Sequence, residues 1–318
     1  MKVILVTGCA GFIGSTLCEK LLDQGNYVLG MDNFDPFYDR KLKVKNLEKC
    51  LESARFEFFE GDISISESFN SIQSKVDLVI HIAAKAGVRP SIADPLSYLN
   101  VNVNGTFNVL QWMQLKGIKK MIFASSSSVY GNNVSVPFME SDIVDEPISP
   151  YAFSKKSAEL LNHTYHHLYN FDILNLRFFT VYGERQRPDL AIHKFVRSML
   201  NNEKITLYGD GSTARDYTYI GDIVGGIMKS MNYLNCNSNV FETINLGNSM
   251  PIKLIELVDE LYAITGAERK IHFVEQQPGD VERTFADISK AKRLIGYEPA
   301  TSLRDGLNAF VTWMRNQA

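Results

Sequence analysis

The chain has little cysteine. Only four cysteines stand in 318 residues, and no two of them form a C-x-x-C pair. They show no ligand-like grouping with the six histidines, which argues against a metal site. Isolated thiols of this kind are typical of reduced cysteines in a cytosolic protein, so the pattern disfavours a disulfide-stapled secreted domain. The residues concerned are Cys9, Cys18, Cys50 and Cys236.

The chain also lacks a surplus of positive charge and lacks long apolar runs. Its 33 lysines and arginines against 36 aspartates and glutamates give a net charge of −3. Neither a nucleic acid nor an anionic membrane is therefore an expected partner. No apolar run approaches the ~18 residues of a membrane span, and the N-terminus leads into a strand instead of a signal peptide. We expect a cytoplasmic protein of about two domains, or of one large α/β domain with an insert.

What the chain does contain is a glycine-rich stretch at its start. Residues 3–6 are apolar and have strand character, Gly8, Gly11 and Gly14 follow, and 15–22 has the apolar period of a helix. This order fits a pyrophosphate lying against the helix N-terminus. Glycines let the backbone approach the pyrophosphate, and unpaired N–H groups favour its charge. The pattern predicts a dinucleotide site.

Asp32 indicates which dinucleotide binds. It ends the apolar stretch 27–31 and follows Gly14 by 18 positions. That spacing is close to the roughly 20 residues expected for the acid that binds a ribose 2′-hydroxyl. The carboxylate would repel a 2′-phosphate, and no arginine follows it immediately. The sequence therefore favours NAD over NADP as the cofactor.

The next segments alternate between helices and strands. A helix over about 41–51 carries lysines and arginines that we interpret as a solvated face, and strand 55–59 ends shortly before Asp62. Strand 76–84 is nearly continuous in apolar residues, which is typical of a parallel sheet covered on both faces. Asp62 and the small residues that end strand 76–84 are expected near the cofactor, because ligands gather at the carboxyl ends of such strands.

A strand that ends in serines lies between two helices. The helical period over 95–115 includes Asn100, a candidate cofactor contact. Strand 120–128 ends in four serines, which are poor strand formers and are better explained as hydroxyls aimed into a crevice. Further elements are predicted over 151–169, 254–264 and 303–314 as helices and over 241–247 as a strand.

Tyr151 and Lys155 form the second strong signal in the chain. They stand four residues apart, and so lie on one face of the predicted helix. A tyrosine with its ordinary pKa near 10 is a poor base at neutral pH, but a nearby ammonium and a positively charged nicotinamide favour the phenolate. Such a tyrosine could remove a hydroxyl proton while a hydride leaves for NAD.

Nine segments stand in the order seen in the extended short-chain dehydrogenases/reductases that epimerise nucleotide sugars. The chain resembles this family over essentially its whole length. The segments are TGCAGFIG, MDN, GDI, HIAAKAGVRPS, ASSSSVYG, SPYAFSKKSAE, LRFFTVYGERQRPD, ARDYTYIGDIV and PGDV. Within the family, the chain looks most similar to UDP-glucuronate 4-epimerases, because of AGVRPS, RFFTVYG and RQRPD.

The resemblance implies roles for individual residues. Tyr151 is the implied catalytic base, Lys155 is its pKa partner and a ligand of the nicotinamide ribose, and Ser126 is the catalytic hydroxyl by alignment on VYG. The implied NAD contacts are Gly8, Gly11, Phe12, Ile13, Gly14, Asp32, Asn33, Asp62, Ile63, Ala83, Ala84, Lys85, Asn100, Tyr151 and Lys155. The implied UDP-sugar contacts are Arg89, Ser126, Ser127, Ser128, Thr180, Arg187, Arg215, Asp280 and Arg283, with Asp189 beside Arg187.

The implied activity is 4-epimerisation of a UDP-sugar, in the first place of UDP-glucuronate to UDP-galacturonate through a 4-keto sugar. Residues 126–128 offer no carboxylic acid of the kind that related dehydratases carry, which disfavours dehydration. Thr180 stands where glucose-type 4-epimerases have asparagine, and its hydroxyl suits an oxygen-rich group at C6. The alternatives are a UDP-glucose or UDP-N-acetylglucosamine 4-epimerase, a UDP-glucuronate decarboxylase, and a non-catalytic NAD-binding regulatory protein.

The expected architecture is an α/β fold. A Rossmann-type doubly wound parallel sheet is joined to a smaller mixed substrate-binding domain. The NAD domain is predicted at 1–176 with re-entry at about 217–248, and the second domain at 177–216 and 249–318. The resemblance also implies a homodimer that pairs through the helices at about 96–115 and 151–169.

Overall fold

The structure, a computed structural model, describes residues 1–275 and 281–317. Its largest element is a parallel sheet of seven strands. The strands are β1 (Val3–Thr7), β2 (Tyr27–Asp32), β3 (Phe56–Glu60), β4 (Leu78–His81), β5 (Lys120–Ser126), β6 (Asp172–Phe178) and β10 (Phe241–Leu246). Their order across the sheet is β10-β6-β5-β4-β1-β2-β3. The order reverses direction beside β1, as in a doubly wound dinucleotide-binding fold, which confirms the predicted fold class.

Helices cover both faces of this sheet, because successive side chains of a strand point to opposite sides. Ile4 and Val6 of β1 enter one apolar core, and Leu5 enters the other. On the first face lie α1 (Phe12–Asp23), α2 (Arg40–Leu51), α8 (Ile220–Cys236) and α10 (Ser289–Ile295). On the second face lie α5 (Gly105–Lys116) and α6 (Pro150–Tyr169). The near-continuous apolar strands are thus explained by burial on both sides.

Two short helices and a distorted segment lead into α5. They are α3 (Val88–Ala93), α4 (Pro95–Tyr98) and a π-helical segment, Leu99–Asn104. The sequence predicts one regular helix over 95–115, whereas the structure has a wider turn in its middle. Such π segments occur often at functional sites. Because a wider turn changes which side chains face inward, this segment matters for the site below.

The second domain is smaller and mixed. Its strands are β7 (Thr180–Tyr182), β8 (Ile205–Tyr208), β9 (Ala214–Tyr219), β11 (Pro251–Lys253) and β12 (Ile271–Val274). Its helices are α7 (Ala191–Leu200), α9 (Leu254–Thr265) and α11 (Leu303–Arg315). Strands β11, β9 and β7 form one sheet, and β12 and β8 form another. Apolar side chains from these elements pack into a core of their own.

The boundaries between the two domains differ from the predicted ones. Strand β6 continues to Phe178, so position 176 falls inside the large sheet. Tyr217 belongs to β9 of the second domain, and the chain re-enters the first domain at α8. Helix α10 packs on the first domain through Ala291 and Ile295, although 249–318 is predicted wholly in the second. Contacts of this kind are not visible in a sequence pattern, because they depend on which core accepts the helix.

No helix within the described ranges combines the length and apolar character needed to cross a membrane. The four cysteines are free, and three of them are buried. Within the same ranges, no group of three or more His, Cys, Asp or Glu side chains is arranged to hold a metal ion.

Candidate active site

A cleft of about 580 Å³ opens at the carboxyl ends of the central strands. Its walls come from the turn after β1, the ends of β2, β4 and β5, the start of α6, and β7 with the loop that follows it. This is the edge at which doubly wound sheets bind their ligands. Seventeen of the residues implied by the resemblance line it: Gly8, Gly11, Phe12, Ile13, Gly14, Asp32, Asn33, Asp62, Ile63, Ala83, Ala84, Lys85, Ser126, Tyr151, Lys155, Thr180 and Arg187.

The glycine turn brings backbone, not side chains, to the cleft. Gly8 has φ +74°, and a Cβ there would lie 2.7 Å from the backbone nitrogen of Ala83. A Cβ on Gly14 would lie 2.0 Å from the carbonyl oxygen of Gly8. Gly11 is the N-cap of α1, and no side chain caps this helix within the described part of the chain. The first N–H groups of α1 are therefore left for an anion such as a diphosphate.

Asp32 is held rigidly at the end of β2. Its Oδ2 accepts from the N–H of Ala10 at 3.0 Å, and its Oδ1 accepts from the N–H of Phe34 at 2.8 Å. Burial raises the pKa of Asp32, and these two hydrogen bonds and the charge of Lys43 oppose the rise. An acceptor in this place suits ribose hydroxyls and not a phosphate. The glycine turn and Asp32 together fit NAD, which is the cofactor expected from the sequence.

Tyr151 enters the cleft from the first turn of α6. Ser149 caps that helix by accepting from the N–H of Ala152 at 3.1 Å, and the edge of the Tyr98 ring lies against Tyr151 at a centroid distance of 6.2 Å. Burial raises the pKa of Tyr151, while a hydrogen bond with Ser126 and the charge of Arg187 lower it. The hydroxyl of Tyr151 is therefore hydrogen-bonded to the side chain of Ser126. Arg187 is thus the cation that favours the phenolate here, whereas the sequence predicts Lys155 in this role.

Lys155 lies one turn after Tyr151, beneath the cleft. Its side chain is buried, and Nζ donates to the carbonyl oxygen of Ala124 at 2.7 Å while lying 5.0 Å from the centre of the Phe123 ring. Burial lowers the pKa of Lys155 to about 7, and the carboxylate of Glu159 acts in the opposite direction. Burial thus disfavours the ammonium form of Lys155, and the carboxylate of Glu159 favours it.

A chain of directed hydrogen bonds crosses the floor of the cleft through His81. Thr106 donates its hydroxyl to the Asn102 carbonyl at 2.7 Å, so its oxygen is free to accept from Nε2 of His81 at 3.0 Å. Nδ1 of His81 then accepts from the Thr7 hydroxyl at 2.7 Å. Burial lowers the pKa of His81 to about 3, with a further contribution from the charge of Lys155. The ring is therefore neutral and held in one tautomer.

Asn102 joins the cofactor side of the cleft to the helix that carries Tyr151. Its Nδ2 donates to the carbonyl of Lys85 and to the hydroxyl of Ser154, each at 2.9 Å, and its Oδ1 accepts from the Lys85 N–H at 2.8 Å. Ser154 in turn donates to the carbonyl oxygen of Tyr151 at 2.8 Å. One amide therefore fixes the loop after β4 relative to the first turn of α6.

Arg187 and Thr180 form the wall from the second domain. Arg187 makes two hydrogen bonds to Asp189, at 2.7 and 2.9 Å, and its guanidinium lies 5.1 Å from the centre of the Phe37 ring. Phe37 belongs to the loop after β2, so this contact spans the mouth of the cleft. Thr180 lies at the start of β7 and is partly exposed there. Together they offer a cation and a hydroxyl to a ligand.

Some of the predicted substrate residues lie outside the cleft lining. Arg89 stacks on Tyr208 at 4.8 Å, and Arg215 donates to the carbonyl of Ala214 at 2.9 Å. Arg283 is exposed on the segment that forms a bridge with Ala214. Asp280 lies outside the described residues. Arg215 and Arg283 therefore lie on the second domain, and Arg89 lies on α3 of the first domain, where it contacts Tyr208 of the second. Ser127 and Ser128 form the short turn after β5, where the Ser128 N–H donates to the Ser126 hydroxyl at 3.1 Å.

The assignment of Asn100 to the cofactor is corrected by the structure. Asn100 is exposed, and its Oδ1 accepts from Asn104 at 3.2 Å. The next residue, Val101, lines the cleft instead, and Asn102 is buried beneath it. The reason is the π-helical turn over Leu99–Asn104, which rotates the following residues away from the positions of a regular helix.

The sequence also misses three cleft residues that precede or begin α2. Phe37 and Tyr38 come from the loop after β2, and Lys43 comes from α2. Lys43 is only 6% exposed and donates to the carbonyl of Asp35 at 2.8 Å, so interpreting it as part of a solvated face is wrong. In a helix with many charged residues, no local pattern distinguishes the one lysine that is buried. The proximity of Lys43 to Asp32 becomes visible only when the fold is known.

Comparisons with known proteins agree with this geometry. The family model described as GDP-mannose 4,6 dehydratase matches residues 5–310. A UDP-glucuronate 4-epimerase from Thermodesulfobacterium geofontis is 42% identical over 318 residues, which cover 99% of this chain and 97% of that protein. A crystal structure of UDP-glucuronic acid 4-epimerase from Bacillus cereus, with UDP-glucuronic acid and NAD, matches with a TM-score of 0.92 at 36% identity and covers 99% of this chain and 100% of that one. A crystal structure of UDP-glucose 4-epimerase from Thermotoga maritima, with UDP-glucose, matches with a TM-score of 0.89 at 32% identity and covers 99% of each chain.

Proposed function

The chain belongs to the family described as GDP-mannose 4,6 dehydratase, and on that premise we propose that it is an NAD-dependent epimerase that interconverts UDP-glucuronate and UDP-galacturonate. The observation that carries the proposal is the pair of hydroxyls from Ser126 and Tyr151 in one cleft, with Arg187 beside them. The relatives from Thermodesulfobacterium geofontis and Bacillus cereus, which are named for this activity, support it.

Bound NAD supplies a reversible oxidation at C4 of the sugar, with no net redox change. Gly8, Gly11 and Gly14 would hold its diphosphate, and Asp32 its ribose. The chain's own part in the reaction is proton transfer. Oη of Tyr151 takes the proton of the sugar 4-hydroxyl, while Oγ of Ser126 donates to the same oxygen. After the 4-keto sugar has turned its other face, Tyr151 returns the proton, and the C4 alcohol is inverted.

The positions of the carboxylates around the cleft favour epimerisation over dehydration as the reaction. A dehydratase needs an acid beside the reacting carbons in order to eliminate water. Among the described cleft-lining residues, the acids are Asp32, Asp35, Asp62 and Asp94. Asp32 is the last residue of β2, Asp35 lies in the loop that follows it, Asp62 follows β3, and Asp94 caps α4. The turn at 126–128 carries hydroxyls only.

A direct test is to incubate the purified protein separately with UDP-glucuronate, UDP-glucose and UDP-N-acetylglucosamine and to identify the products by NMR. No NAD is added at first, because a cofactor that is restored in each cycle need not exchange. We expect UDP-galacturonate from UDP-glucuronate. Product from a neutral sugar alone would keep the mechanism and overturn the substrate. No product from any of the three, even with NAD added, would favour another nucleotide sugar as the substrate or a regulatory NAD-binding role.

A 4-keto-uronate poses a chemical problem that Thr180 is suited to solve. The intermediate is a β-keto acid and loses CO₂ when its C5–C6 bond stands perpendicular to the carbonyl plane. We propose that Thr180, with Ser127 and Ser128, holds the carboxylate away from that alignment. We expect Thr180→Val to raise the share of UDP-pentose about tenfold, since a hydrogen bond to a charged group contributes roughly 1.5–3 kcal/mol.

Product analysis by NMR or mass spectrometry measures that share. Thr180→Ser is the matched control, because it keeps the hydroxyl and removes only the methyl group. We expect it to release no more UDP-pentose than the unaltered protein. An unchanged product ratio in Thr180→Val would contradict the proposed role of Thr180 and leave the epimerase assignment standing.

We also propose that two copies pair through α5 and α6. Exposed apolar side chains stand on these helices, where a monomer gains nothing from them. They are Phe107, Leu115, Phe153, Leu160 and Leu168. Sedimentation equilibrium tests the pairing, and a monomer at micromolar concentration would contradict it. A cytoplasmic location remains part of the proposal, because free cysteines are typical of that compartment.

A further inference from the structure

A buried carboxylate lies one helical turn beyond Lys155. Glu159 follows Lys155 by four residues on α6, so both side chains are on one face of the helix. Glu159 is 5% exposed and Lys155 is 4% exposed. The resemblance gives Lys155 a role as the pKa partner of Tyr151, but neither the resemblance nor the proposed mechanism gives Glu159 one. A charged group in this position is costly unless it is paired.

The partners of Glu159 come from two strands of the large sheet. Arg177 on β6 donates from Nε to Oε1 at 3.0 Å and from Nη2 to Oε2 at 2.8 Å. Ser125 on β5 donates its hydroxyl to Oε1 at 2.6 Å. Ser125 also lines the cleft, directly before Ser126. The carboxylate of Glu159 is thus held in a fixed orientation between α6, which carries Tyr151, and β5, which ends at Ser126.

Arg177 is itself fixed from the other side. Its guanidinium lies 4.8 Å from the centre of the Tyr130 ring, and the Tyr130 hydroxyl donates to Asn245 on β10 at 2.7 Å. Tyr130 belongs to the short turn that follows Ser126. Glu159 is therefore a buried anion between two buried cations, Arg177, which it binds directly, and Lys155, which lies one helical turn away on the same face of α6. Without the anion, two buried cations would remain.

We propose that Glu159 is a positioning residue for the reaction, which keeps Lys155 protonated beneath Tyr151 and is itself held in place by Arg177 and Ser125. The groups that face Lys155 support this role. His81 on β4 is neutral, Ala124 on β5 offers a carbonyl, and Phe123 offers the face of its ring. Glu159 brings a negative charge to the same face of α6, four residues after Lys155, and it opposes the effect of burial on the pKa of Lys155.

A buried ion pair contributes little to stability when both partners are replaced by well-packed apolar groups, whereas removal of one partner is strongly destabilising. A role in stability alone would therefore be served as well by an apolar pair. A charged pair in this place is better explained by the effect of the Glu159 carboxylate on the protonation of Lys155, one helical turn away. In its effect on catalysis the inference rests on the proposed function, but the protonation of Lys155 is measured independently of any substrate.

The test is an NMR titration of the ¹³Cε signal of Lys155 in the NAD-saturated protein, with the signal assigned by its loss in Lys155→Arg. In the unaltered protein we expect a midpoint near pH 7. In Glu159→Gln we expect the midpoint to fall by about one pH unit or more, as for the loss of an opposite charge nearby. The alkaline limb of the kcat profile should move to lower pH with it, because the ammonium is lost as pH rises through this midpoint.

Glu159→Asp, which keeps the charge, is expected to restore most of both shifts. Asp172→Asn is the matched control, since Asp172 is a buried carboxylate at the opposite end of β6 and accepts from the Val240 N–H at 2.8 Å. It should leave the midpoint of Lys155 unchanged. If Glu159→Gln fails to fold, the double variant Glu159→Leu, Arg177→Met replaces the whole pair, and it should lower the midpoint by less than Glu159→Gln does, because the positive charge of Arg177 is removed with the negative charge of Glu159.

An unchanged midpoint in a folded variant without Glu159 would overturn the inference. Loss of activity with an unchanged midpoint would do the same, because it would assign Glu159 a structural role only. If the protein proves inactive on all three UDP-sugars while the midpoint still falls, the proposed function fails and the role of Glu159 toward Lys155 stands.

Discussion

Replacing Tyr151 by phenylalanine is expected to lower kcat about 10²- to 10⁴-fold, the usual contribution of a positioned general base. The substitution removes one oxygen and keeps the ring that lies edge-on against Tyr98. Ser126 would keep its place but lose the group that accepts the proton. Initial rates with UDP-glucuronate, followed by NMR or by a coupled assay, measure the effect.

The matched control is Tyr165→Phe on the same helix. Tyr165 is buried in the core between α5 and α6, and its hydroxyl bonds to Gln111 and not to the cleft. We expect its kcat to stay within about twofold of the unaltered value, since it touches no reacting group. NAD binding should be similar in both variants. If Tyr151→Phe kept most of its activity, another base would have to be sought, and the assignment of Tyr151 would be wrong.

Replacing Gly14 by alanine is expected to remove most cofactor binding and to lower kcat/KM about 100-fold, which is the scale of effect for a misplacement of about 1 Å. The added Cβ would lie 2.0 Å from the carbonyl oxygen of Gly8, and backbone cannot yield as a flexible side chain can. The turn must therefore move away from α1. NAD affinity by calorimetry and the melting temperature measure the two consequences, with a loss of stability of about 1–3 kcal/mol.

Gly225→Ala on α8 is the matched control, because nothing lies within 4 Å of the Cβ that it would add. Alanine in a helix interior is favoured over glycine by roughly 0.5–1 kcal/mol, so this variant should be slightly more stable than the unaltered protein and should bind NAD equally well. Equal NAD affinity in Gly14→Ala would show that the glycine turn does not hold the diphosphate.

Much of the first domain is predictable because its patterns are local. The glycine turn, the apolar strands and the Tyr151–Lys155 spacing all depend on residues close in sequence, and the structure has the corresponding elements within a few positions. The parallel sheet follows from strands that are apolar on both faces. These features are the ones that a doubly wound fold requires at fixed places in the chain.

The errors share one cause, which is that tertiary context overrides a local period. A regular helix over 95–115 makes Asn100 a candidate cofactor contact, whereas the π-helical turn brings Val101 to the cleft and buries Asn102 beneath it. Lys43 looks like one more surface lysine in a charged helix, yet Asp32 and Tyr38 enclose it. The pairing of Glu159 with Arg177 joins residues from different elements, so no spacing in the sequence predicts it.

The route of the chain between the two domains has a consequence for how the protein is made. Strand β6 ends at Phe178, but its sheet neighbour β10 begins only at Phe241, after β7, β8 and β9 of the second domain have been laid down. The core of the second domain in turn includes side chains of α11, Leu303–Arg315, so it is incomplete until that helix is present. During synthesis, which runs from the N-terminus, the first domain cannot complete its sheet until most of the second has left the ribosome, and the second cannot complete its core until α11 follows. A nascent chain therefore carries an unpaired strand edge for a long interval, and a fragment that ends between the domains would keep it permanently.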